Sequence, residues 1–191
     1  MKFAKQLLAL AVVGAAFSAQ AESNINSGAA AGLSTTARLN FSIIVPRVIF
    51  LRVGSGTNFA VNTAVDTVTF TVPDADVGTG TDIAGVTVPA GGVVARVLGN
   101  GGNVSFSANG TSGGLTNTGL TPIPWTQITA TSVGALPHPA IGNGVSGAIS
   151  SLTATLGVVD QTATWNFNYL NDVIKGAGTY NGTVTYTAAL P

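Results

Sequence analysis

Few side chains in this sequence could move a proton, hold a metal or attack a bond. Histidine is the residue best matched to proton transfer near neutral pH, and the chain has one, His138, between Pro137 and Pro139. Two prolines favour an extended loop, and nothing in the sequence places a serine or carboxylate beside the ring, so His138 reads as a solvent-exposed loop residue. There is no cysteine, which removes thiolate nucleophiles, thiolate metal sites and disulfides together. The one cluster of oxygens is Asp74, Asp76 and Asp82, interleaved with Gly78 and Gly80. Such spacing is a weak candidate for a hard cation such as calcium, but no glutamate closes the loop as a bidentate ligand. It reads first as an acidic turn after a strand. The expectation is a protein with no catalytic residue, no cofactor and no established metal site, and not an enzyme.

The aromatic residues offer another chemistry. Trp125, Trp165, Tyr169, Tyr180 and Tyr186 could form a platform for stacking sugars, although on alternating strands such residues belong more often to a core. Asn103, Asn109 and Asn181 each begin a glycosylation-acceptor triplet, a cheap match in a chain so rich in Asn, Gly and Thr.

The elements that would position these residues are strands. In residues 37–45, Leu39, Phe41, Ile43 and Val45 alternate with Arg38, Asn40, Ser42 and Ile44, a period of two that puts four large apolar side chains on one face. Pro46 then interrupts the ladder, because it has no N–H to donate. Further β-branched and aromatic segments span residues 48–53, 67–72, 93–98, 104–108, 125–131, 152–159, 163–170 and 179–188, each bounded by turn-forming residues. Residues 136–147 read as a long surface loop. The pattern predicts an all-β fold, an antiparallel β-sandwich of about eight to nine strands with Greek-key connections. A membrane-spanning barrel is the competing form, but it wants longer alternating strands and two aromatic girdles.

The N-terminus has its own signature. Lys2 and Lys5 precede an apolar run over residues 7–17 and then Ser18-Ala19-Gln20-Ala21, the order of a cleavable secretory signal peptide. That run is shorter than the roughly 20 residues of a spanning helix. Residues 1–21 are therefore expected to be removed, residues 22–36 to form a flexible leader and residues 37–191 to form the domain, secreted or at the cell surface. Without residues 1–21, five cations stand against seven anions. Five scattered cations give no basic stripe, which argues against nucleic-acid binding. Charged residues are 7% of the sequence, against roughly 25% in an average soluble domain. So neutral a surface suits a protein that covers itself with neighbours.

The signal peptide, the polar leader, the alternating first strand and the closing run Gly178-Thr179-Tyr180-Asn181-Gly182-Thr183-Val184-Thr185-Tyr186-Thr187 together resemble secreted bacterial pilin-like, or fimbrial-subunit, β-sandwich proteins. The resemblance implies an Ig-like Greek-key fold and polymerisation by strand addition, with an N-terminal segment completing a neighbour's sheet. The chain departs from many such subunits in lacking their cysteines. Two functions follow as expectations. One is a structural subunit of an extracellular fibre or biofilm matrix whose partners are other copies of itself, joined through Leu39, Phe41, Ile43 and Val45. The other is a monomeric secreted adhesive or carbohydrate-binding module with a host or surface ligand. N-terminal sequencing of exported protein is expected to read Glu22 first; an exported chain still starting at Met1 contradicts the signal-peptide reading.

Overall fold

The structure is a computed structural model that describes residues 22–29, 31–88 and 90–191; the expected signal peptide lies outside the described residues. The chain divides at Val45 and Pro46 into two units. In the first, the described residues form neither strand nor helix. The Arg38 guanidinium meets the Glu22 carboxylate (Nε to Oε2, 2.8 Å), Thr35 Oγ1 donates to the Asn24 carbonyl at 3.0 Å, and Asn26 Nδ2 donates to Ser34. This leader is thus folded back on itself, and the strand expected over residues 37–45 is not formed.

The second unit is all β apart from two 3-10 turns, Asp74–Asp76 and Trp125–Gln127. Its strands are β1 (Ile49–Val53), β2 (Val68–Thr69), β3 (Ile83–Ala84), β4 (Val86–Thr87), β5 (Val93–Gly99), β6 (Val104–Gly110), β7 (Ile128–Gly134), β8 (Ile141–Asn143), β9 (Ser150–Leu152), β10 (Val159–Tyr169) and β11 (Val184–Ala189). Three sheets result. In the first, β5 lies between β1 and β10, and β7 pairs along the far edge of β10; β3 continues the line of β5. In the second, β6 lies between β11 and the short strands β8 and β9. The third is the β2–β4 ribbon. All pairs are antiparallel except β6–β8.

Strict alternation builds the long strands. In β10, Val159, Ala163, Trp165, Phe167 and Tyr169 are buried while Asp160, Thr162 and Asn166 are exposed. Val93, Ala95 and Val97 of β5 point to the same interior, and Val104, Phe106 and Ala108 of β6 complete it, so both large sheets feed one apolar cluster. Burying a side chain the size of Phe106 contributes about 2–3 kcal/mol. β6 also buries Ser107, and Gly110 leaves room for the Trp125 indole, which a β-carbon there would strike. No Asp, Glu, Lys or Arg lies between Arg96 and Asp160, so β6 to β9 contain no formal charge.

Besides residues 37–45, the strand expected over 125–131 begins only at Ile128, after the 3-10 turn Trp125–Gln127, and three further readings of the sequence need correction. Residues 152–159 are not one strand: Leu156 (φ 51°) and Gly157 (φ 81°) form a tight turn, closed by Thr155 N–H to the Val158 carbonyl (2.8 Å) and the reverse bond (3.0 Å). Positive φ at both central residues is the geometry that matches strand twist in a two-residue hairpin. Residues 136–147 are not a surface loop throughout, since Leu136 and Pro139 are fully buried and Ile141–Asn143 pairs with β6. His138 is not exposed: its ring stands edge-on to Trp165 (4.8 Å between centroids), Phe167 (5.1 Å) and Tyr186 (5.6 Å).

The histidine ring is satisfied on both sides. The Pro139 backbone takes the proton of one nitrogen, and the Tyr186 hydroxyl donates to Nε2 at 2.8 Å. Burial lowers the His138 pKa from 6.5 to about 4 and raises that of Tyr186, so the neutral forms of both belong to the folded state. Between pH 6.5 and about 4 the unfolded chain binds a proton that the folded one refuses, so stability rises with pH across that window. The full contribution is roughly 3 kcal/mol, complete above pH 6.5 and absent below about 4. Denaturant midpoints at pH 7 and pH 4 are expected to differ by much less in His138→Phe than in the wild type; equal pH slopes in the two contradict the assignment.

Candidate functional site: an apolar groove beside the last strand

β11 pairs with β6 along one edge, and among the described residues no strand pairs with the other. A groove between the sheets reaches Val184 and Tyr186 of β11 and Ile141 of β8, and β1 of the first sheet lies near β11. One wall is the stretch 64–72, in which Val68, Phe70 and Val72 alternate with threonines; the other is β11 and its approach, with Val184 and Tyr186. Val93, Leu115, Ile128 and Phe167 line its floor. It comprises two hollows of ≈ 330 and ≈ 590 Å³ that share Thr67, Val68, Phe70, Leu115 and Ile128. Cavities of this size are in the range that holds ligands or peptide side chains.

Alternation correctly marks residues 67–72, yet only Val68–Thr69 joins a ladder, because its partner β4 is two residues long. The remaining backbone of this wall is left beside the groove. At the far end Asn171 is 2% exposed in a left-handed conformation (φ 52°). Its side chain accepts from Gly78 N–H (3.1 Å) and donates to the Asp76 carbonyl, and its own carbonyl accepts from Gly80 N–H (3.0 Å). Asparagine tolerates this backbone better than most residues and supplies both a donor and an acceptor. Tyr169, in the same end, has a pKa raised first by burial and then by the nearby Asp172 and Tyr180.

The residues singled out in the sequence distribute unevenly. Asp74, Asp76 and Asp82 do not come together: the described residues contain no group of three or more His, Cys, Asp or Glu that could hold a metal ion. The loop is organised by Asn171 through backbone groups. Trp125, Trp165 and Tyr169 are buried and Tyr180 and Tyr186 half-buried, so the five do not form an exposed stacking platform. Leu39, Phe41, Ile43 and Val45 are 76%, 85%, 87% and 71% exposed. Gly110-Thr111-Ser112-Gly113-Gly114 spells the nucleophile-elbow pattern, which needs a strand followed by a helix. Here β6 ends at Gly110 and a turn follows, with Gly114 N–H on the Thr111 carbonyl (3.2 Å), while His138 is engaged by Tyr186. No catalytic dyad forms between these two.

No protein-family model, curated protein or solved structure matches the chain. The groove must therefore be read from its own chemistry. Asn171→Ala is expected to lower stability by about 1–3 kcal/mol in urea titration, because it leaves the half-buried Gly78 N–H and Asp76 carbonyl without their partner. Asp74→Ala and Asp82→Ala are expected to move the midpoint little, with or without added calcium; a calcium-dependent rise lost in either variant contradicts this.

Proposed function

We propose that this chain is a structural subunit of an extracellular or cell-surface fibre or matrix, and that copies join by strand addition. The observation that carries the reading is the pairing of a complementary excess and deficit. Leu39, Phe41, Ile43 and Val45 stand at alternate positions, exposed, in a segment without a ladder of its own, while the groove beside β11 is apolar and its edge unpaired among the described residues. An extended peptide added to a sheet edge gains main-chain hydrogen bonds, and pockets take its alternate side chains.

The strand orders support the reading further. An Ig-like Greek-key sandwich places strands A, B, E and D in one sheet and C, F and G in the other. The order β1-β5-β10-β7 fits A-B-E-D, and β6 with β11 fits C and F. The position of G, beside β11 and facing β1, has no strand of its own among the described residues, and the groove touches β11 at Val184 and Tyr186. In this reading residues 37–45 of one subunit supply G to the next. The partner is a second copy of the same chain, and assembly requires no cofactor or catalytic residue.

The double substitution Phe41→Asp and Ile43→Asp is expected to leave the melting temperature of the second unit unchanged while abolishing polymers in sedimentation and electron microscopy. A chain beginning at Pro46 is expected to be stabilised by an added peptide of residues 37–45, by about 2.7 kcal/mol at a hundredfold excess over Kd. A wild-type chain that remains monomeric at high concentration, or a truncated chain indifferent to the peptide, overturns the proposal.

A further inference from the structure

A second surface lies on the outer face of the first sheet, away from the groove. Arg52 of β1 and Arg96 of β5 are direct partners in the antiparallel register. Like charges directly opposite one another on neighbouring strands destabilise a sheet. Only one of them is compensated: Arg96 makes a bidentate pair with Asp160, both bonds 2.8 Å. Arg52 has no carboxylate partner among the described residues; one terminal nitrogen donates to the Gly56 carbonyl at 3.3 Å, and its Nε is buried without a partner. Above them stands Phe59. Its ring lies 5.5 Å from the Arg96 guanidinium carbon and 5.0 Å from the Phe50 ring. It is 62% exposed and holds φ 58°, a conformation that bulky residues rarely adopt.

A cation without a counter-charge, opposite in register to a second arginine that lies under an aromatic ring held out to solvent on strained backbone, is costly to the fold in two ways and has a coherent use in binding. We propose that Arg52, Arg96 and Phe59 form a binding site for acidic saccharides, a pyranose ring bearing a carboxylate. The two terminal nitrogens of Arg52, Nη2 and the remaining hydrogen of Nη1, take the carboxylate with two parallel bonds, while the buried Nε does not take part. Phe59 stacks on the apolar face of the ring. Asp160, whose pKa the Arg96 hydrogen bonds hold low, stays ionised, keeps Arg96 in place and accepts from sugar hydroxyls. Thr162, Thr164 and Asn166 continue along β10 as an uncharged polar track for further sugar units. The site needs neither the groove nor residues 37–45, so it stands whether or not copies polymerise.

The test is calorimetric titration of the full chain with a galacturonate tetrasaccharide, the same oligosaccharide as its methyl ester, sialyllactose and inorganic sulfate. The acid is expected to bind at least about tenfold more tightly than its ester, the value of one charge-assisted hydrogen-bonded pair. Sialyllactose binding in place of the uronate supports the same site and assigns the carboxylate to host-type glycans. Arg52→Gln is expected to weaken binding about tenfold or more without lowering the melting temperature, since it removes a like-charge pair. Phe59→Gly, which relieves the backbone, is expected to weaken binding severalfold and serves if the arginine variant does not fold. Equal binding of acid and ester, binding of sulfate as tight as that of the sugars, no binding at millimolar acid, or full affinity in both variants overturns the proposal.

Discussion

The shared core is organised around one indole. Trp165 is fully buried, and its single N–H finds its acceptor in the Leu136 carbonyl at 3.1 Å. A buried indole N–H left unpaired costs about 1–3 kcal/mol, so the ring draws the connection after β7 into the interior. Leu136 and Pro139 are then fully buried, and His138 between them reaches Tyr186 on β11. Phe106 of β6 stacks on both Trp165 (6.2 Å) and Tyr186 (6.2 Å). Strands of both large sheets and the chain between β7 and β8 thus meet at one aromatic knot. With no cysteine available, this packing does the joining that a disulfide does in many exported domains.

The groove is the counterpart of that knot. Where Leu136, His138 and Pro139 enter, the interior is filled; beside β11, where threonine alternates with valine and phenylalanine over residues 67–72, it is left open. A neighbour's strand in that place, as proposed above, would extend the core that the single chain builds only in part. The outer face of the first sheet follows a different logic: there the chain keeps one arginine beside another and exposes a phenylalanine, at the expense of its own stability.

How much of this the sequence disclosed depends on what alternation measures. It reports which side chains prefer an interior, so β5, β6 and β10, each with one buried face, stand close to where the pattern places them. It does not report whether a backbone partner exists. Residues 67–72 alternate as clearly as β10 and form two residues of ladder, and residues 37–45 alternate and form none. Leu156 breaks its strand because an apolar residue can stand in a turn when the next residue is glycine. Prolines beside His138 constrain the backbone but carry no information about what packs on it. The four alternating apolar residues were legible as a candidate; the groove and the Arg52–Arg96 pair were not, because both arise from register between segments distant in the sequence.

The uncharged middle of the chain has a physical corollary. From β6 to β9 there is no ionised Asp, Glu, Lys or Arg, and His138 is held neutral. Dissolved salt acts on surface contacts by screening charges over a Debye length of about 8–10 Å at ordinary ionic strengths, and across these strands there is nothing to screen. Any cohesion through them rests on packing and main-chain hydrogen bonds and is therefore the same in fresh water as in dilute brine. The charged residues outside this stretch, among them Arg47, Arg52, Asp66, Arg96, Asp160, Asp172, Lys175 and the acidic turn near Asp76, answer to the ionic composition of the surroundings.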